Sequence, residues 1–429
     1  MTVRALVVFP TAWDARQLES CRSAWRHDYT VEFAVPADAD CEADFDILNF
    51  IAATTARSDF DAVFSSSDYP GAAVAAAIAT QRRLPGATPD AVLRCAHKYY
   101  ARVAQRRVVP ESVPDFALID PAKSAATTCG LSYPCFVKPV KGAFSMLARC
   151  VDSAAELDAF LESASARDYL NSYLRIFDQL VRAYTDFAFD GRYFLAEEIL
   201  RGSQVTVEGY VHHGDVRILG VVDSVMHAGT RSFARFEYPS SLEVRVQELM
   251  RDFVCRVVRV HGLDDTLFNV ELLYDASIDH VGLVEINPRL CGQFADLYQK
   301  VDGTNTYEVA LALAAGRRPT VLHREGACRV AASLPLRVFT SSRVLHAPGP
   351  DDVRAAEALF PGTLIWVECE AGQELCDFEH AEDGCSARYA VVNVGAADRE
   401  RLAEHFEAIE SRLGFEFEPL SSGAPAVGR

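Results

Sequence analysis

Two carboxylates and an amide are closely spaced in the segment NVELLYDASIDHVGLVEINPR, which spans residues 269–289. Side chains alternate between the two faces of a strand, so Glu285, Asn287 and Arg289 fall on one face. A hairpin would bring Glu271 from the preceding strand onto the same face. This set of hard oxygen ligands suits Mg²⁺, or Mn²⁺, which proteins hold with one or two carboxylates together with substrate phosphates.

Arg289 adds a planar cation two residues beyond Asn287. Its guanidinium offers parallel N–H donors that match a carboxylate or a phosphate. The alternative is an exposed polar hairpin in which Arg289 simply neutralises Glu285. The apolar run VGLV (281–284) argues against that alternative, because an unpaired carboxylate directly after a buried strand is costly.

Hydrophobic periodicity indicates the elements that must position these residues. Before about residue 95, apolar strands at 5–10, 29–36 and 59–68 alternate with helical segments, including an Ala-rich one at 70–84. This alternation is typical of a parallel α/β domain. Farther along, strands joined by glycine turns dominate, and from about residue 317 the chain becomes β-rich.

Composition excludes several classes of function. The chain has 429 residues, half of them hydrophobic, and a net charge of −18. We therefore expect a soluble globular protein that does not bind nucleic acid. Its twelve cysteines form no CxxC pair, which indicates free thiols in a reducing cytoplasm. We recognise neither a signal peptide nor a run of about 18 apolar residues, so no membrane partner is expected.

Lysine is rare, since 42 residues are basic and only five of them are lysines. Where arginine replaces lysine nearly everywhere, a retained lysine is a candidate for a compact point charge. The alternative is that codon composition favours arginine and the surviving lysines are accidental. The five are Lys98, Lys123, Lys138, Lys141 and Lys300.

The segment VEINPRLCG (284–292) closely resembles the E-x-N-P-R-x-G signature of the ATP-grasp superfamily, which includes biotin carboxylase, D-alanine ligase, carnosine synthase and the L-amino-acid ligases. Three other segments resemble its companion motifs in the expected order: HKYYAR (97–102), YPCFVKPVKGAFS (133–145) and AEEILRGSQVTVEGYV (196–211). A Walker motif, GxxxxGK[ST], does not occur in the sequence, which argues against a P-loop ATPase.

The resemblance implies a mixed α/β and α+β chain with the ATP-grasp fold. We expect an N-terminal parallel α/β domain at 1–95, an ATP-grasp domain at 96–316 with its lid at about 130–200, and a C-terminal β-rich mixed domain at 317–429. ATP is expected between the lid and the main sheet.

The resemblance also implies roles by position. Phosphate binding falls on Lys98 and Lys138, with Ser145 assisting, and Arg289 holds the substrate carboxylate or the acyl phosphate. The metal ligands are Glu271, Glu285 and Asn287. The adenine hinge comprises Glu197, Glu198, Ile199 and Leu200.

The flexible loop departs from the biotin carboxylase pattern. KPVKGAFSM contains one glycine, Gly142, in place of a run of glycines, and this favours the amino-acid ligase branch. In related ligases the loop-like segment 226–242 lines the acceptor pocket. Arg235 and Glu237 are therefore candidates to bind an amino acid, the alternative being a surface loop with local ion pairs.

We therefore predict a cytoplasmic, ATP-dependent carboxylate–amine ligase. Amide or peptide bond formation is expected to proceed through an acyl phosphate, with release of ADP and phosphate, on small-molecule substrates such as amino acids. The alternatives are a carboxylating enzyme resembling biotin carboxylase and an ATP-binding protein without catalysis. The sequence leaves open whether the chain forms a homodimer.

Overall fold

The computed structural model describes residues 2–36, 45–124, 129–142, 146–171, 173–376, 378 and 385–420; Ser145 lies outside them. Its strands are β1 (Val3–Val8), β2 (Tyr29–Ala34), β3 (Ala62–Phe64), β4 (Phe116–Ile119), β5 (Cys135–Pro139), β6 (Arg149–Val151), β7 (Phe194–Glu197), β8 (Ser203–His212), β9 (Asp215–Met226), β10 (Phe233–Tyr238), β11 (Thr266–Asp275), β12 (His280–Asn287), β13 (Val330–Val338), β14 (Ser342–His346), β15 (Leu364–Val367), β16 (Glu374–Leu375), β17 (Ala387–Ala396) and β18 (Glu416–Pro419).

The α-helices of the same residues are α1 (Asp14–Ser20), α2 (Arg22–Trp25), α3 (Ile47–Thr55), α4 (Gly71–Arg82), α5 (Pro89–Ala96), α6 (Lys98–Gln105), α7 (Ala154–Leu161), α8 (Ala164–Asn171), α9 (Arg175–Tyr184), α10 (Val244–His261), α11 (Ala295–Asp302), α12 (Thr306–Ala314), α13 (Pro350–Glu357) and α14 (Arg399–Leu413). Within this part of the chain, none is both long enough and apolar enough to span a membrane.

The N-terminal segment forms the parallel sheet that the sequence predicts. Strand β1 lies in the middle, paired in parallel with β2 on one side and β3 on the other. The Ala-rich helix α4 packs against β3 and is buried over most of its length. Small alanine side chains allow this close approach of helix and sheet.

A second sheet, of four strands, has three of them in the region predicted to be the lid, while β4 precedes that region. Its strand order is β4, β7, β5, β6, and helices α7 and α8 share its apolar core. Helix α7 is capped by Ser153, whose hydroxyl accepts a hydrogen bond from the Glu156 amide (3.2 Å). Strand β5 carries Lys138 into the protein.

The main sheet is antiparallel, in the order β12, β11, β8, β9, β10, β13, β17, β15. Helix α10 covers one face and joins the largest apolar core. The last three strands in this order come from the chain beyond residue 317, so the C-terminal segment extends the main sheet. Strands β16, β14 and β18 of the same segment form a separate three-stranded antiparallel sheet. The predicted mixed fold is confirmed, whereas the three domain boundaries stay predictions.

The prediction of a loop over 226–242 is wrong for its central part. Residues 233–238 form strand β10, which pairs with β9 and β13. In this stretch the buried rings of Phe236 and Tyr238 alternate with Arg235 and Glu237. That alternation is the signature of a strand with two different faces, and the mixture of charges and rings concealed it.

Gly202, at the turn into β8, offers a test of the fold. Its φ is +122°, and an added Cβ would lie 2.2 Å from the Tyr274 carbonyl oxygen. Gly202→Ala should lower the free energy of unfolding by about 3 kcal/mol, because strain and a backbone clash combine. Gly214 also has a positive φ (+77°) but open space around its Cβ position, so Gly214→Ala should cost about 1 kcal/mol. Urea titrations of both variants would measure this; equal losses would contradict the packing described.

Candidate active site

The hairpin of β11 and β12 brings the predicted metal ligands together. Glu271 pairs directly with Glu285, and Asn269 pairs with Asn287, so the predicted hairpin is confirmed. The Asn287 side-chain amide donates to Asn269 Oδ1 (3.2 Å) and to Glu285 Oε1 (3.3 Å). Because both bonds use its NH₂ group, Asn287 keeps its oxygen for another partner.

The electrostatics of the two carboxylates fit a cation. Burial and the neighbouring Glu285 raise the pKa of Glu271 to about 8. Burial also opposes ionisation of Glu285, but the ammonium groups of Lys98 and Lys138 together outweigh it and lower the pKa of that carboxyl. Two adjacent carboxylates with an amide oxygen form a donor set of the kind that Mg²⁺ prefers. The metal role of these residues stays a prediction.

Lys98 lies at the first position of helix α6 and reaches the same hairpin. Its backbone amide donates to the Val140 carbonyl (2.7 Å), which ties the helix to the end of β5. Its Nζ atom lies 3.2 Å from Glu285 Oε2 and donates to the Gly142 carbonyl at 2.8 Å. Lys98, and not Arg289, is therefore the ion-pair partner of Glu285.

Lys138 is held by a buried group of three charges. Glu197 Oε2 lies 2.6 Å from Lys138 Nζ, and Glu197 Oε1 lies 2.5 Å from Arg102 Nε. Arg102 also donates to the Val284 carbonyl on β12 (2.6 Å). Burial disfavours ionisation of Glu197, but the two cations prevail and depress its pKa to about 2.

This arrangement changes the interpretation of the predicted hinge. The Glu197 carboxylate is occupied by Arg102 and Lys138, so its side chain positions a lysine instead of facing a nucleotide. The Glu198 amide donates to the Asp115 carbonyl (2.9 Å). The predicted adenine contacts therefore fall on the backbone of Ile199 and Leu200, and they stay a prediction.

The N-terminal domain contributes a residue that the sequence analysis missed. Asp68 follows β3, and its Oδ2 atom lies 2.7 Å from Lys141 Nζ at the base of the loop predicted to bind phosphate. Although burial opposes ionisation, the charges of Lys141 and Arg289 hold the pKa of Asp68 well below its usual range. Three of the five lysines, Lys98, Lys138 and Lys141, thus lie in one site.

Arg289 faces the same site and has few partners. Its Nη1 atom makes one long hydrogen bond, to the Leu290 carbonyl (3.4 Å). Burial lowers the pKa of Arg289, but the surrounding acidic groups, Asp68 foremost, together outweigh it and raise the pKa. Among the described residues no carboxylate lies within ion-pair distance of this guanidinium, so its donors are free for an anion.

Arg235 and Glu237 do not share the face of this site. The register of β10, β9, β8 and β11 places Glu237 level with Leu272, the neighbour of Glu271. Adjacent residues of a strand point to opposite faces. Glu237 instead receives hydrogen bonds from Arg235 (2.5 Å) and Arg399 (3.0 Å). The predicted role in substrate binding is therefore wrong for this pair.

A second cluster lies at the far end of β8. The ring nitrogens of His212 and His213 and the carboxylate of Asp265 lie within 4.8 Å of one another. His212 pairs with Asp215 across the turn, and its Nδ1 atom lies 2.8 Å from Asp265 Oδ1. This carboxylate–imidazole contact links the turn between β8 and β9 to the residue that precedes β11, and we assign the cluster no ligand.

Several residues of the site gave weak sequence signals. Arg102 lies one helical turn after Lys98, and Asn269 lies two residues before Glu271 on the same face. Glu208 interrupts the apolar strand VTVEGYV, and Asp68 closes the run of small polar residues SSSD. For Arg102 and Asn269 the available clue was a spacing of four or two residues from a recognised site residue.

Removing the Glu197 charge should destabilise the protein in a pH-dependent way. Glu197→Gln leaves two buried cations without their anion, so the free energy of unfolding at pH 7 should fall by about 3–5 kcal/mol. The pKa of Glu197 is lowered to about 2 on folding. Its contribution is therefore complete above the unfolded pKa and is lost as the pH falls through the folded value. The difference between wild type and variant should shrink below about pH 4.5.

Urea unfolding at several pH values would measure this difference. Glu198→Gln, at the exposed neighbouring position, is the control and should change stability by less than about 0.5 kcal/mol. A pH-independent difference would show that the carboxylate stabilises the protein by packing and not by charge.

Residues 131–296 match the family model of the ATP-grasp domain. No curated protein sequence matches the chain significantly. The fold is similar to that of an L-amino acid ligase from Bacillus licheniformis, with 16% identity and a TM-score of 0.72 over 97% of this chain and 99% of that one.

The fold is also similar to a phosphoribosylglycinamide synthetase from Anaerococcus prevotii, with 14% identity and a TM-score of 0.64 over 97% of this chain and 100% of that one. A third similar structure is the biotin carboxylase domain of 2-oxoglutarate carboxylase from Hydrogenobacter thermophilus, crystallised with MgADP and bicarbonate. It shares 14% identity and a TM-score of 0.65 over 98% of this chain and 91% of that one. The chain therefore carries an ATP-grasp domain and has the ATP-grasp fold along nearly its whole length, as its motifs predict.

Proposed function

We propose that this protein is an ATP-dependent ligase that joins a carboxylate to an amine through an acyl phosphate. One observation carries the proposal: Lys98, Lys138 and the sparsely bonded Arg289 lie around the carboxylate pair of Glu271 and Glu285. This is the charge pattern needed to hold a nucleotide triphosphate with its metal next to a second anion.

The reaction itself explains why such a site is required. A carboxylate does not react with an amine near neutral pH, because its oxygen is a poor leaving group. Transfer of a phosphoryl group to the carboxylate provides a good one, and that transfer depends on neutralising charge around the γ-phosphate. Lys98 and Lys138 are the residues we assign to this task. Both are anchored by carboxylates, which fixes their positions before a nucleotide binds.

Glu271, Glu285 and Asn287 would hold Mg²⁺, which when bound neutralises and aligns the phosphates. The protein's own contribution is orientation. Lys98 bridges Glu285 and the Gly142 carbonyl, so it lies between the metal ligands and the loop. Arg289 would hold the substrate carboxylate with its two parallel donors.

Amino acids are the substrate class that we favour for both partners. The support is the similarity of fold to an L-amino acid ligase over nearly the full length of both chains, together with the single glycine of the loop. The similarity to a biotin carboxylase keeps a carboxylation reaction as the competing outcome, for which bicarbonate-dependent ATP hydrolysis with free biotin would be the evidence.

The nucleotide product tests the acyl-phosphate route. Attack of a carboxylate on the γ-phosphate yields ADP and phosphate. Phosphate release should be screened over pairs of amino acids, and the nucleotides of active mixtures separated by chromatography. AMP and pyrophosphate would exclude the acyl phosphate, and ATP binding without turnover on any pair would favour a protein without catalysis.

Arg289→Lys separates the carboxylate site from the nucleotide site. Lysine keeps the charge but loses the planar pair of donors. ATP affinity should stay near normal, because Lys98 and Lys138 remain, while turnover should fall by roughly 10²-fold with a weaker apparent affinity for the carboxylate. Calorimetry with ATP and saturation kinetics with the carboxylate would measure the two effects.

Arg217→Lys, an exposed exchange on β9, is the matched control and should change neither quantity. If ATP affinity collapses in Arg289→Lys while carboxylate saturation is unchanged, Arg289 serves the nucleotide and its assigned role is wrong.

A further inference from the structure

We infer that Glu208 is a positioning residue that sets the direction of the Asn287 side-chain amide. It acts through Asn269, and the result is that the oxygen of Asn287, and not its NH₂ group, is presented to the cation. This inference rests on the proposed function, because it assumes the metal ligands Glu271, Glu285 and Asn287.

The three side chains lie in one row across three strands. Glu208 on β8 pairs with Asn269 on β11, which pairs with Asn287 on β12. Asn269 Nδ2 donates to Glu208 Oε1 (3.4 Å), and Asn287 Nδ2 donates to Asn269 Oδ1 (3.2 Å). All three residues are less than one-tenth exposed, so bulk water does not offer alternative partners.

The direction of this row follows from the chemistry of its ends. A side-chain amide has one donor end and one acceptor end, whereas a carboxylate accepts. Glu208 therefore draws the NH₂ group of Asn269, whose oxygen in turn draws the NH₂ group of Asn287. Glu285 Oε1 accepts from the same NH₂ group (3.3 Å). With both donors used, the Asn287 oxygen is the atom left for a cation.

Glu208 is otherwise hard to explain. It is 2% exposed, and its Oε2 atom has no hydrogen-bond partner of normal geometry among the described residues. A buried carboxylate with an unsatisfied oxygen costs stability, and an apolar side chain would fill this part of β8 without that cost. Burial raises the pKa of Glu208, and the hydrogen-bonding effects of Asn269, the Tyr298 hydroxyl and the Cys291 amide oppose that rise. Because Asn269 uses Oε1, we assign the Tyr298 hydroxyl and the Cys291 amide to the Oε2 side.

Glu208→Gln should therefore reverse the row. The Cys291 amide and the Tyr298 hydroxyl favour the glutamine oxygen on their side, so the glutamine NH₂ group turns towards Asn269. The side-chain amides of Asn269 and Asn287 then rotate to exchange their oxygen and NH₂ positions, which presents the NH₂ group of Asn287 to the cation. Mn²⁺ affinity of the ADP-saturated protein, measured by electron paramagnetic resonance, should fall by about 10-fold or more, the usual effect of losing a residue that orients a metal ligand. Affinity for ADP without metal should not change.

Moving the carboxylate to the middle of the row should restore binding. In the double variant Glu208→Gln with Asn269→Asp, no acceptor is needed at position 208, because the carboxylate introduced at position 269 accepts from both neighbours. The Asn287 oxygen then faces the cation again, and Mn²⁺ affinity should return to within about threefold of wild type. A role in packing or overall charge alone would not produce this recovery.

Asp223→Asn is the matched control. Asp223 is another buried carboxylate of the main sheet with one unpartnered oxygen, and its other oxygen bonds to Ser241. It points to the opposite face from Glu271, so Mn²⁺ affinity should not change.

Glu285→Gln distinguishes failure of this inference from failure of the metal site. It should weaken Mn²⁺ binding; if it does not, the proposed site itself is wrong. If Glu285→Gln weakens Mn²⁺ binding, the role of Glu208 is overturned by either of two results: an unchanged affinity in Glu208→Gln, or no recovery in the double variant.

Asn269→Leu replaces Glu208→Gln if that variant does not fold. It should lower Mn²⁺ affinity to a similar extent, and an unchanged affinity would also overturn the role of Glu208.

Discussion

Two cations lie close together inside this protein because one carboxylate lies between them. Glu197 contacts both Lys138 and Arg102, and without it their mutual repulsion in a weakly polarisable interior would be severe. Each of the three comes from a different element: strand β5, helix α6 and strand β7. Arg102 adds a bond to the Val284 carbonyl of β12. The four-stranded sheet of β4 to β7, helix α6 and the hairpin of β11 and β12 are thus held in one arrangement by a single ionic group.

The remaining charges of the site are balanced in pairs that a nucleotide and its metal would rearrange. Lys98 neutralises Glu285, Lys141 neutralises Asp68, and Glu271 has a raised pKa. Such pairing lets opposite charges accumulate in a partly buried cleft before any ligand arrives. Arg289 is the exception, since no described carboxylate pairs with it, and it is the cation that we assign to the reacting carboxylate. The arrangement is preorganised in the sense that side chains need little reorientation to meet phosphates.

The two faces of the main sheet have separate tasks. One face carries Glu208, Asn269, Glu271, Glu285 and Asn287, while the other packs valines and leucines against α10. A change of one residue in register would exchange these faces. This is why Arg235 and Glu237, although they have suitable chemistry, lie on the far side, where Glu237 accepts hydrogen bonds from Arg235 and Arg399. Chemical type alone does not decide which face a strand residue occupies.

The sequence by itself determined the local features of this protein. Periodicity identified the strands and helices of the N-terminal segment and the two strands that pair Glu271 with Glu285, because the apolar pattern of each element lies within a few neighbouring residues. Their alternation along the chain then indicated the parallel sheet. The motif resemblance also predicted the ATP-grasp fold and five charged residues of the site: Lys98, Lys138, Glu271, Glu285 and Arg289. Only the tertiary structure decided that Glu197 holds Lys138, that Asp68 reaches Lys141 from a distant part of the chain, that C-terminal strands extend the main sheet, and that Arg235 and Glu237 face away. These depend on strand register and on contacts between residues tens to hundreds of positions apart, and such contacts leave no periodic trace in the chain.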